Sequence, residues 1–422
     1  MMRFTTPLAR FASALALATV TAACSAPPQG YSVPDDGGTS DDPMGPFSDL
    51  ELAIVRAQLG SLPDMPPPSP TNRFADDARA AVLGQKLFFE TGYSANGEVS
   101  CATCHIPSAE FQDNRSNTSE GLEFTKRSTP TLVNAVFGSG GAGSTVWQFW
   151  DGRKDSFWSQ ALGPPESSVE MGGSRAAVAA LVADKYAGDY EAVFGPLPAA
   201  DDPDAVTRVY VNFGKAIEAY ERLVVSKNSA FDRFRDEIIA GSDDSDELDA
   251  AQKHGLKIFV GKGGCISCHR GPNFSDWTFH NIGVSQEDIE HVPNRDAGRA
   301  DGISSLVDDE FNCASRWSDA PDASACAVSA LVPKDADTGA FKTPTLRNVT
   351  LTAPYFHTGA MDTLADVIDF YDQGGQDSGY VGSQDRNIRK LNLSTDEKDA
   401  LIAFLGALTG DPVDPELTSA RR

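Results

Sequence analysis

Two five-residue runs limit what this chain can fold into: Cys101-Ala-Thr-Cys104-His105 and Cys265-Ile-Ser-Cys268-His269. Cys-x-x-Cys-His is the attachment signature of c-type haem. Two thiols add across the porphyrin vinyl groups, and the adjacent imidazole reaches the iron from one face. A thioredoxin-like redox pair needs no following histidine, and a zinc site made from both pairs is the other alternative. Two plates held in this way call for helices packed around each, so the expected fold is mostly α with few short strands.

Composition narrows the setting. Of 422 residues, 60 are acidic and 35 basic, a formal charge of −25. That balance excludes a nucleic-acid surface, which needs a basic stripe. Arg3 and Arg10 precede a short apolar stretch, Phe11 to Ala23, so residues 1–23 read as a signal peptide, too short for a membrane span. The stretch ends in Thr-Ala-Ala-Cys24, which is similar to a bacterial lipobox. Cys24 is therefore the expected lipidation site, with ordinary cleavage nearby as the alternative, and membrane contact is expected through that lipid only. The location implied is the periplasm, with the lipid anchored in the outer membrane. Residues 24–70, with Pro27, Pro28, Pro34 and Pro43, paired glycines and several Asp, read as a flexible tether. Export also permits disulfides.

The two motifs sit in two copies of a longer pattern. Gly84-Gln-Lys-Leu87-Phe88 precedes the first and Gly255-Leu-Lys-Ile258-Phe259 the second. Both predict a helix with apolar side chains on one side and a glycine that allows close packing. Downstream, Thr129-Pro-Thr-Leu-Val-Asn134 recurs as Thr343-Pro-Thr-Leu-Arg-Asn348, and Trp150-Asp-Gly152 is answered by Phe356-His-Thr-Gly359. The chain reads as two cytochrome c-like domains in tandem, residues 71–243 and 244–422.

The ligand on the far side of the iron decides what a haem can do. Thr363 opens a helix whose Leu364, Val367, Ile368 and Tyr371 share one face. Counted from the matched glycines Gly152 and Gly359, Pro164 and Tyr371 both lie twelve residues on. Tyr371 is either a core tyrosine or a sixth ligand for the second haem; Pro164 cannot ligate iron and leaves the first haem open. An open haem that binds peroxide needs a proton shuttle. Gln160 and Glu170 flank Pro164 and can supply one, Glu170 being otherwise a surface glutamate. Among the other histidines, His254 is expected on a helix surface, His280 beside the second haem and His291 in an exposed acidic loop, none an obvious ligand. A closing helix is expected over 394–410, with Ser394 and Glu397 as a capping box.

These stretches, with Gln148-Phe-Trp-Asp-Gly-Arg153, Ser168-Val-Glu-Met171, Phe279-His-Asn-Ile-Gly283, Pro354-Tyr-Phe-His357 and Tyr371-Asp-Gln-Gly-Gly375, resemble the di-haem cytochrome c peroxidase superfamily, and within it the MauG-type (MauG/MbnH-like) branch, over about residues 75–410. Peroxidases of the superfamily look similar but carry Met where Tyr371 stands and a distal His at the first haem. The resemblance implies His105 on a high-spin, peroxide-reacting haem and His269 with Tyr371 on a low-spin haem. It implies Trp150 between the haems as an electron relay, with Gln160, Pro164 and Glu170 lining the distal pocket. A calcium ion between the haems is implied too, held by an Asn side chain, whose place falls on Ser128 here, and by the carbonyls of Thr352 and Pro354. Gly263 stands where MauG-like enzymes have a surface Trp as electron exit, so Trp277 or another surface aromatic would take that role. An insertion at about 295–340 contains Cys313 and Cys326, which are expected to form a disulfide in an oxidising compartment.

By this resemblance the protein is an enzyme. It reacts with hydrogen peroxide, shares the oxidising equivalents between the haems as a bis-Fe(IV) state, and oxidises a partner protein at tryptophan. The alternative is a periplasmic peroxidase that reduces hydrogen peroxide with electrons from a small cytochrome or cupredoxin, which Tyr371 disfavours. A plain electron carrier with two six-coordinate haems has no use for the pocket of Gln160, Pro164 and Glu170.

Overall fold

The glycine of each repeat marks a helix crossing. In the computed structural model, which describes residues 45–421 apart from 116, 139–146, 200, 288, 293–294, 321 and 323–325, the helix Ala78–Phe88 meets Ala205–Glu221 at Gly84. An added Cβ there would lie 1.9 Å from the Ala216 carbonyl oxygen. The helix Ala250–Val260 meets Thr395–Gly406 at Gly255 in the same way, with the Cβ 2.0 Å from the Ala400 oxygen. One joint is thus built twice, once per lobe. Leu83, Leu87 and Phe88 pack with Ile217 and Tyr220 in the first core; Leu256 and Phe259 pack with Leu401 and Phe404 in the second.

The fold is mostly helical. The strands among the described residues are two-residue pieces, Phe279–His280 and Phe341–Lys342, paired antiparallel with Phe279 opposite Lys342. Thr363 caps the helix Leu364–Gln373 and Ser394 caps Thr395–Gly406, each through a reciprocal capping box. The inserted segment carries the helix Arg299–Val307 and a disulfide between Cys313 and Cys326. No helix among the described residues is long and apolar enough to cross a membrane.

The tether expected through residue 70 gives way to a helix, Asp49–Gln58, capped by Ser48 and Glu51. Leu52, Val55 and Leu59 recur on one face and bury with Phe47 in the second core, alongside Phe234 and Ile238. Burial of that stripe outweighs the nearby prolines. The helix Ala230–Ile239, before the boundary expected at 243, sends Phe231, Phe234 and Ile238 into the second core. In return Val413 and Leu417 join the first core, and the Tyr220 hydroxyl donates to the Leu417 carbonyl at 2.6 Å. Each core therefore includes a segment from the other end of the chain, and the described residues form one unit by contact. The signal peptide and Cys24 lie outside the described residues.

Gly255→Ala is expected to force the second crossing apart and to cost about 1–3 kcal/mol, read by denaturant unfolding of the holoprotein. Gly188→Ala, on a helix where nothing lies within 4 Å of the new methyl, should leave the midpoint within error.

Candidate haem sites

Both Cys-x-x-Cys-His runs open onto one cavity of about 1040 Å³. Cys101–Cys104 forms a single helical turn, and His105, at its end, places Nδ1 3.0 Å from the Phe111 carbonyl oxygen. Cys265–Ser267 forms a 3₁₀ turn, and His269 Nδ1 lies 2.8 Å from the Phe274 oxygen. Both acceptor residues have left-handed backbones, with φ of 55° at Phe111 and 50° at Phe274, which turns each carbonyl back toward its ring. An imidazole whose Nδ1–H donates to a carbonyl keeps its Nε2 lone pair for a metal. Burial lowers the pKa of His105 and of His269 and so favours the neutral, ligating form. The four motif thiols are free, and burial pushes Cys101, Cys104 and Cys265 up to about 12. Paired free thiols, neutral imidazoles and a large cavity walled by Leu132, Ile217, Leu364 and Leu405 fit covalent haem at both sites.

The far side differs between the sites. Tyr371 lines the cavity from the helix Leu364–Gln373, and its hydroxyl has no hydrogen-bond partner among the described residues. Burial, and after it the Cys268 and Cys265 thiols, raise its pKa. Its counterpart Pro164 lines the cavity from the short helix Gly163–Glu166, with Gln160 and Glu170 beside it. His280 also lines the cavity, bound to Asp385 at 2.7 Å and Asp276 at 3.1 Å. Burial opposes its charge, but the two carboxylates outweigh that and push it up to about 12. His291 is exposed, as expected, and stacks on Phe124 with ring centroids 3.8 Å apart. Trp277 is half-buried and lines the cavity, with Lys342 Nζ 5.4 Å from its ring.

Between the sites the repeats exchange a reciprocal pair of main-chain hydrogen bonds. The Ser128 N–H donates to the His357 oxygen at 2.8 Å, and the Lys342 N–H donates to the Trp150 oxygen at 2.8 Å. Those positions correspond, Ser128 to Lys342 and Trp150 to His357. The rings of Trp150 and His357 meet edge to face at 6.4 Å, and Trp150 Nε1 donates to the Ser128 carbonyl at 2.8 Å. Asn134 and Asn348, which end the repeated hexapeptide, both reach Ser226: Asn134 Nδ2 donates to its carbonyl at 2.7 Å and Asn348 Nδ2 to its hydroxyl at 3.0 Å. Thr352 and Pro354 line the cavity near this joint, as does Ser128.

Sequence reading missed how the insertion holds the Trp150 loop. Arg127 binds Asp296 through two hydrogen bonds of 2.8 and 2.7 Å and lies 2.6 Å from Asp151 as an ion pair. Arg299 Nη1 donates to the Gly152 carbonyl at 2.8 Å, with its guanidinium between Trp147 and Phe279 at 4.4 and 4.1 Å. These partners are far apart in sequence and follow no local pattern. The carbonyls of Phe111 and Phe274 were missed as well, although each motif histidine is followed by a Phe five or six residues on.

The sequence profile of the di-haem cytochrome c peroxidase family matches residues 78–238. The chain is 33% identical to the cytochrome-c peroxidase IdrP2 of Denitromonas iodatirespirans over 86% of this chain and 89% of that one. It is 30% identical to the methylamine utilization protein MauG of Paracoccus denitrificans, over 83% and 93%. Among solved structures it is similar to a MauG-like protein associated with microbial copper homeostasis, with a TM-score of 0.62 and 25% identity over 85% of this chain and 98% of that one. The chain belongs to the di-haem cytochrome c peroxidase family. It is thus a peroxide-using oxidoreductase with two covalently bound haems c.

Proposed function

We propose that the protein is a MauG-type enzyme that takes hydrogen peroxide at the first site and oxidises a partner protein at tryptophan. The observation that carries this reading is an asymmetry between matched positions that line the cavity: Tyr371 in the second repeat and Pro164 in the first. Haem c bound at His105 and His269 would supply the reaction with peroxide and hold the oxidising equivalents until the partner gives up its electrons. Pro164 keeps the first site clear of a protein ligand. Gln160 orients peroxide, and Glu170 accepts its proton and returns it to the departing oxygen. Tyr371 is the residue that would hold the iron of a haem at the second site, and as an anionic oxygen it would favour the higher valence. Trp150, at the joint between the sites, relays electrons, and Trp277 or another surface aromatic serves as their exit.

The excess of 25 negative charges suits a partner with a basic patch through long-range steering. The Ser128 hydroxyl and the carbonyls of Thr352 and Pro354 are the oxygens that would hold a calcium ion, and no step above depends on it. Export to the periplasm and anchoring by lipid at Cys24 belong to the same reading. A second reading, a peroxidase fed by a small cytochrome or cupredoxin, is favoured by the name of the IdrP2 relative; Tyr371 favours the first.

Tyr371→Phe is expected to abolish the low-spin signal in the ferric EPR spectrum, and an unchanged signal would remove its role as a ligand. Glu170→Gln should slow the reaction with peroxide by about 100-fold in stopped-flow mixing. A near-wild-type rate would make Glu170 a surface residue only.

A further inference from the structure

One buried ionisable group facing the cavity has no part in the chemistry above. Glu221 ends the helix Ala205–Glu221, is 4% exposed, and lines the cavity with Ile217 one turn earlier. Its Oε2 is buried without a hydrogen-bond partner among the described residues. A carboxyl in such a place is costly when charged and unpaired.

The second lobe shows that the fold does not require it. The glycine crossings match Ala216 to Ala400, so Ile217 corresponds to Leu401 and Glu221 to Leu405. Leu401 and Leu405 line the cavity from the second lobe. The same helix position therefore carries leucine in the lobe that has Tyr371 and an acid in the lobe that has Pro164.

The groups around Glu221 leave it without a counter-charge. Burial, and then Glu218 one turn earlier, raise its pKa. Cys101 and Tyr220 feel its charge, and the Tyr93 hydroxyl donates to the Leu87 carbonyl at 3.1 Å. On the helix Ala78–Phe88, Arg79 is paired with Asp77 and Lys86 with Asp189. The helix Phe157–Ala161 has no ionisable side chain. On Arg175–Lys185, Arg175 is paired with Glu166 and Lys185 with Glu90. Arg222 is paired with Asp76, and Glu416 of the C-terminal tail is exposed.

We propose that Glu221 is the proton-exchanging group of the first haem site, a role absent from the second. Burial favours the neutral acid, and a positive charge gained nearby favours the carboxylate. As the site accepts one electron from a one-electron donor, the Glu221 carboxylate takes one proton from solvent and an O–H bond forms. As the electron leaves, that bond breaks and the proton returns to solvent. The inference rests on haem at the first site and holds under either reading of the reaction.

The test is a redox titration of the holoprotein from about pH 5 to pH 8, followed in the visible bands of the first-site haem, together with the redox-difference infrared spectrum. No peroxide is used, so the result does not depend on the proposed activity. In the wild type the first-site midpoint should fall as pH rises, and a protonated-carboxyl band should grow on reduction. Both should be lost in Glu221→Gln. A flat wild-type midpoint, or a pH dependence and band that survive in Glu221→Gln, would overturn the inference. Should that variant fail to take up haem, Leu405→Glu provides the converse: it should make the second-site midpoint pH-dependent, and an unchanged second-site midpoint would overturn the inference equally.

Discussion

Two main-chain hydrogen bonds that cross between the repeats, from Ser128 to His357 and from Lys342 to Trp150, hold the rest of the structure in place. Each joins the residue before one Thr-Pro-Thr run to the loop of the other repeat, so the cavity wall of one lobe is completed by its neighbour. Trp150 is fixed at this joint by its own backbone and by the bond from Nε1 to Ser128. Ser226 ties the two hexapeptide asparagines together a short way off. The exchange of end segments, the helix Asp49–Gln58 to the second core and Leu417 to the first, follows the same logic. The two repeats thus share cores and a joint within one unit.

On this symmetric frame a few replacements make two unlike sites. Tyr371 stands at the repeat position of Pro164, Leu405 at that of Glu221, and His357 at that of Trp150. The proximal arrangement stays common, with each imidazole held by the carbonyl of a left-handed Phe. The chemistry therefore diverges on the far side of each iron and at the joint, while the attachment geometry is kept. A proposed division of labour between the two sites needs no change of scaffold.

Much of this was legible in the sequence because the signals are local. The Cys-x-x-Cys-His runs, the crossing glycines Gly84 and Gly255, and the caps at Thr363 and Ser394 each depend on residues within one turn or one contact. The helix Asp49–Gln58 was hidden by the prolines around it, although Ser48 and Glu51 form the capping box that announces it. The placement of Phe231, Phe234 and Ile238 in the second core could not be read, because an apolar helix face does not state which lobe covers it. The Arg127–Asp151–Asp296 cluster joins positions up to 169 residues apart. Glu221 was passed over because its meaning depends on lining the cavity at the position Leu405 holds in the other lobe, and that appears only once the helices are crossed.

The central claim is that an open first site and a tyrosine-bearing second site act together on peroxide without prior reduction. It is tested most directly by the visible and near-infrared spectrum of the fully ferric holoprotein before and after one equivalent of hydrogen peroxide, with no reductant present. The account predicts a new near-infrared band, shared by the two sites, within the mixing time. A protein that stays silent to peroxide until it has been half reduced would contradict the account and leave the donor-fed peroxidase in its place.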